Sequence, residues 1–162
     1  MPETKRIADQ LKRAYEGPAW HGPSLLEALS GVTARQALAR PIPNTHSIWQ
    51  LVLHIAAWMD AVRERIENGP VREPADGDWP EITDTSETGW QATLDLLTQR
   101  QQALLSVLTN LTDEQLKRRL GAEHDPPTAS GYSAYYNLHG VIHHNLYHVG
   151  QIVLLKKLLQ EN

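Results

Sequence analysis

The chain has no cysteine. Disulfides, thiolate metal sites and a cysteine nucleophile are therefore all excluded, and any bound metal must be held by nitrogen or oxygen. Long apolar runs are missing too: no stretch approaches the roughly 18 apolar residues of a membrane span. The opening "MPETKRIADQLKRAYEG" alternates charge with apolar residues and lacks the uninterrupted core of a signal peptide. The expectation is a soluble protein of the cytoplasm. Positive charge is in deficit, with 15 Lys plus Arg against 19 Asp plus Glu and a formal net charge of -4. Such a balance creates no overall field that would gather phosphate backbones or anionic lipid, so neither nucleic acid nor a membrane is an expected partner. Convincing period-two alternation, repeats of 20 to 50 residues and low-complexity tracts are also absent.

What is present is helical periodicity. At 162 residues the chain has the length of one domain, read as 1–162. Ile7, Leu11 and the pair Ala14/Tyr15 recur at helical spacing and predict a helix ending near Gly17. "SLLEALSG" predicts a short apolar helix, and Thr33 a capped turn or two before the prolines of "RPIPNTH". A second long helix starts near Ser47, where Ser47 and Gln50 have the spacing of a capping box, and runs to Gly69 and Pro70. Residues 70–85 are rich in proline, glycine and acid, and so long a connection predicts a crossover or a loop over one end. Ser86 caps a third long helix carrying Trp90, Leu94, Leu97, Leu104 and Leu108, and "TDEQLKRRLG" follows as a short piece with its own T-x-x-Q box. After a loop at "AEHDPPTASG" comes a fourth long helix, "YSAYYNLHGVIHHNLYHVGQIVLLKKLLQ". The fold class is therefore all-α: an antiparallel four-helix bundle with short additional helices.

That last helix holds a chemical anomaly, histidines on an apolar stripe. At about 100° per residue, His144 falls on the same face as His148, Val141, Ile152, Leu155 and Leu159, whereas His139 and His143 lie roughly 140° to 180° away on the expected polar face. On the second long helix, Leu51, Ile55, Trp58, Val62 and Ile66 form the stripe and His54 lies on its flank. Two histidines at i and i+4 stand about 6 Å apart along the axis, close enough to share one divalent ion, and a third from a facing helix would leave a fourth coordination position open. The same spacing also suits buried histidines that merely hydrogen-bond to polar neighbours. His21, His46 and His124 lie in or beside loops, where the wheel does not place them. Trp49, Trp58 and Tyr147 read as packing residues, and Gln151 as a surface or supporting group. No carboxylate is evident as a general base, since Asp60 and Glu64 lie one or more turns beyond His54.

Together "GPAWHGPSLLEALSGVT", "HSIWQLVLHIAAW" and "HHNLYHVGQIVLLKK" resemble, in order and separation, the DinB-like (YfiT-like) superfamily over nearly the whole chain. The core signature, a histidine followed far downstream by H-x-x-x-H-x-G-Q, reads here as His54, His144, His148, Gly150 and Gln151. The resemblance implies an up-down-down-up bundle, often a homodimer, in which His54, His144 and His148 bind a divalent metal such as nickel or zinc. Characterised relatives include S-transferases that use bacillithiol or mycothiol and a mycothiol-dependent isomerase. By that resemblance the chain is a metal-dependent enzyme, an S-transferase acting with a low-molecular-weight thiol or a hydrolase activating water. The alternative is a non-catalytic metal-binding or stress-response protein. The motif does not name catalytic residues.

Overall fold

In a computed structural model of the chain, residues 1–67, 69, 71–121 and 131–160 are described. The loop expected over residues 122–131 lies outside them up to residue 130, His124 included, as does the stop expected at Pro70. Six helices are found among the described residues: α1 (Glu3–Glu16), α2 (Leu25–Leu29), α3 (Ala34–Leu38), α4 (Ile48–Ile66), α5 (Glu87–Thr109) and α6 (Ala134–Gln160), with one 3-10 turn at Gln115–Lys117.

Local chemistry starts most of them. Ser47 Oγ accepts from the Gln50 amide at 3.3 Å while Gln50 Oε1 accepts from the Ser47 amide at 3.1 Å, so the first turn of α4 has its free donors satisfied reciprocally. Thr33 with Gln36 does the same for α3, and Ser24 with Glu27 for α2. Ser86 Oγ accepts from Gly89 at the head of α5. Glycine is needed there, because a Cβ at Gly89 would stand 2.3 Å from the Asp84 carbonyl oxygen. The end of α1 is set by Gly17, whose φ of 83° is a conformation that L side chains rarely adopt. α4 stops at Ile66, three residues short of Gly69; the Ile66 carbonyl is taken by the Arg118 guanidinium, and the Gly69 amide turns back to Glu64 O at 2.7 Å.

The side-chain contacts fix the topology. Trp49 meets Trp90 and Thr93, and Asp60 meets Arg100, so α4 and α5 run parallel. His54 meets His144 while Arg65 meets Asn137, so α6 runs antiparallel to α4. Thr4 meets Asp113 and Tyr15 meets Thr98, so α1 opposes α5. The order is up-down-down-up. Parallel α4 and α5 require the connection between them to travel back along the bundle, and it does: Arg72 O lies on Arg65, then Asp78 on Trp58, then Trp79 on His54 and His46.

The core lies between the four long helices. Ile7 and Leu11 of α1, Trp49, Ile55 and Met59 of α4, Trp90, Leu97 and Leu104 of α5 and Leu138 and Ile152 of α6 are all buried. Each such side chain contributes about 1.5 to 3 kcal/mol relative to exposure. Both tryptophans of the core satisfy their indole N–H groups, Trp49 on Thr93 Oγ1 and Trp90 on Val32 O, each at 2.8 Å. Among the described residues no helix is long and apolar enough to cross a membrane.

Candidate metal centre

The antiparallel pairing of α4 and α6 brings His54 opposite His144 and His148. His54 and His148 are 5% and 6% exposed, and His144 is half-buried. His54 Nε2 stands 2.9 Å from His144 Nε2, which stands 3.2 Å from His148 Nε2. One ring nitrogen from each of the three lies within 4.8 Å of the others, so the group could hold a metal ion.

The far sides of the rings decide what those short contacts mean. His54 Nδ1 is 2.6 Å from Asp78 O, a carbonyl that can only accept, so Nδ1 carries the ring proton. His148 Nδ1 is 2.9 Å from Gln151 Oε1, again an acceptor. Their Nε2 atoms are thus bare lone pairs in the neutral rings, both directed at His144 Nε2. His144 can offer one proton to one of them at most. It does not become an imidazolium near neutrality: burial first, then the neighbouring His148 and His54, holds its pKa down to about 4. Burial also pushes His148 down, against the opposing hydrogen bond to Gln151. At least one nitrogen pair therefore meets lone pair to lone pair at hydrogen-bond distance, which is unfavourable unless a cation lies between them. Nitrogens at about 2.0 to 2.1 Å from a common ion would be separated by about 2.9 Å in octahedral and about 3.3 Å in tetrahedral geometry, which brackets the two distances seen.

The crossover supplies the surroundings. Trp79 stacks on His54 at a centroid distance of 4.0 Å and, through its other face, on His46 at 3.5 Å. Asp78 Oδ1 accepts from Trp58 Nε1 at 2.7 Å and lies 3.4 Å from His54 Nδ1. Sequence reasoning missed Asp78 and Trp79 and left His46 unplaced, because none sits in a periodic segment; for Asp78 and Trp79 the acid-rich length of residues 70–85 was the signal. Gln151, expected as a surface or supporting group, supports His148, and Trp58, expected as packing, also anchors Asp78. Asp60 is paired with Arg63 and Arg100.

Two histidines expected on the polar face part company. His143 is exposed, whereas His139 is half-buried, its Nε2 shut off from solvent without a partner and its ring against Tyr135. The wheel erred there because Tyr135, one turn before His139, covers its ring at a centroid distance of 4.3 Å. His21 is exposed and takes no part in the triad.

An up-down-down-up bundle with three imidazoles converging from two facing helices defines a class, helical-bundle proteins with a site able to hold a divalent ion. The sequence model of the DinB superfamily matches residues 19–152, and the chain belongs to that superfamily. A crystal structure described as the conserved protein of locus from Enterococcus faecalis shares the fold, with a TM-score of 0.72 and 21% identity over 100% of this chain and 99% of that one. No curated protein matches the chain.

Proposed function

We propose that His54, His144 and His148 bind one divalent ion, nickel or zinc, and that the protein is a metal-dependent enzyme activating a low-molecular-weight thiol against an electrophile, with water as the alternative nucleophile. The carrying observation is the convergence of three Nε2 atoms that share at most one proton. When bound, such an ion lowers the pKa of a thiol or water in its open position and so supplies a nucleophile near neutral pH.

The chain's own residues do the positioning. Asp78 O and Gln151 hold two of the rings in the tautomer that presents Nε2, and the His46–Trp79–His54 stack shields one side of the centre from water. Thiol transfer is favoured over hydrolysis because hydrolysis calls for a free general base. The carboxylate beside the rings, Asp78, already has Oδ1 engaged by Trp58. With no cysteine in the chain, the thiol must be a cosubstrate. A homodimer in the cytoplasm completes the proposal, with sedimentation as the measure of assembly.

Elemental analysis of tag-free protein tests the first half: one ion per chain is expected, lost in His144→Ala. Retention of folded structure with no metal in either protein would leave only satisfied core histidines. Incubating the loaded protein with cellular thiols and monochlorobimane tests the second; absence of turnover with every thiol would refute the transferase. Cobalt spectra showing no exchangeable position would identify a non-catalytic binder.

A further inference from the structure

A cavity of about 570 Å³, partly open to solvent, reaches His144 and is walled by Trp58, Val62, Val141 and the stacked rings of Tyr132 and Tyr136. Its charged lining is Arg65, Arg72 and Glu73. Arg65 is unusual. Its guanidinium lies 5.3 Å from the Trp58 ring centroid, donates to Arg72 O at 2.7 Å and makes a long 3.4 Å contact to Asn137 Oδ1. Among the described residues no carboxylate pairs with it, and its Nε is shut off from solvent with no acceptor. Burial alone draws its pKa down, with no carboxylate opposing the shift. A half-buried cation without a counter-ion is costly to hold, and the natural remedy is an anion supplied from outside. Arg72, by contrast, has Glu64 at 3.9 Å.

We propose that this cavity receives the carboxylate end of a small-molecule substrate or thiol cosubstrate, with Arg65 as its counter-ion and the rings of Trp58, Tyr132 and Tyr136 against its apolar part. With Arg72 beside Glu64, Arg65 is the arginine of the lining with which no described carboxylate pairs, and a single such charge suits a monoanionic carboxylate better than a dianionic phosphate. The Trp58 ring spans the gap, with its centroid 6.0 Å from that of His144. A ligand lying along that ring would therefore have its anionic group at Arg65 and its reacting group at the histidine centre. Arg65 is thus a specificity-determining residue. The inference rests on the metal-centre reading above.

The test compares 3-mercaptopropionate with its methyl ester on cobalt-loaded protein, following heat of binding by calorimetry and the thiolate-to-cobalt absorption band. For wild type the acid is expected to bind at least tenfold tighter than the ester. In Arg65→Met that ratio falls to about one with ester affinity unchanged, and Arg65→Lys keeps part of it. Equal affinity of acid and ester for wild type overturns the proposal whatever the variants do, as does no binding of the acid or an undiminished ratio in Arg65→Met. An Arg65-dependent preference without the absorption band would uphold the anion cavity and refute thiol activation, so the two readings fail separately.

Discussion

Each imidazole of the triad is held from behind, and the grip differs from ring to ring. His54 leans on a main-chain carbonyl, Asp78 O at 2.6 Å, whereas His148 depends on a side-chain amide, Gln151 Oε1 at 2.9 Å. His144 has only a 3.5 Å contact to Asn145 Oδ1. The grip on His148 is the one a substitution can remove cleanly. Gln151→Ala should weaken metal binding by about 10 to 100-fold in a chelator competition while leaving the helical circular dichroism unchanged. Gln151→Glu, which still accepts from Nδ1, should recover most of the loss; equal affinities in all three proteins would show that Gln151 does not orient the ring. The three histidines of the triad were legible in the sequence because each occupies a helix, where 100° per residue sorts inward from outward. The residues that frame them were not. Asp78 and Trp79 reach the rings by way of a connection with no period, and Arg65, on the second long helix, reads as one charge among several until its missing partner is seen.

At the scale of elements, caps explain why the sequence declared its helices so clearly. Ser47 with Gln50, Thr33 with Gln36 and Thr112 with Gln115 are local signals that survive without tertiary context. Ser47→Ala should therefore cost about 1 kcal/mol in denaturant unfolding, and no loss would mean that burial alone starts α4. The head of α1 obeys a different rule. Pro2 offers it no side-chain acceptor, and Asp113, 110 residues away from Glu3, accepts from the Glu3 amide at 3.0 Å and the Thr4 amide at 3.1 Å. No reading of residues 1–17 finds that cap, because its donor and acceptor meet only in the folded bundle. Those two amides hold the Asp113 carboxyl below the usual carboxylate range. A depressed folded pKa gives stability that is present above the unfolded value of about 3.9 and is lost as pH falls through the folded one. Asp113→Asn should accordingly be less stable than wild type at pH 7, with the gap closing in acid-unfolding curves as pH falls below the unfolded value of about 3.9 and through the lower folded one. A gap independent of pH would place its cause elsewhere.

For the whole molecule, the triad is a tie between antiparallel α4 and α6, with the returning crossover clamped on top of it by Trp79 and Asp78. Apolar burial shapes the remaining length of the bundle, but at this level three ring nitrogens that share at most one proton between neutral rings face one another, a repulsion that a cation would relieve. An ion bound by the folded chain and not by the unfolded one stabilises it by about 4.1 kcal/mol at a thousandfold excess over Kd. For a domain of this size, at roughly 2 to 4 °C per kcal/mol, that corresponds to about 8 to 16 °C in Tm. Wild type treated with chelator should therefore melt lower by that amount and recover when nickel or zinc is returned. His144→Ala removes the middle nitrogen of the cluster and with it both short contacts, so its Tm should stop responding to metal while the repulsion also disappears. The variant should consequently melt at or above chelated wild type, despite the lost side chain, and below the loaded protein. A variant that melts well below chelated wild type, by more than His144→Gln, which keeps most of the side-chain volume, would show that relief of repulsion is smaller than the cost of the lost ring and would overturn this account.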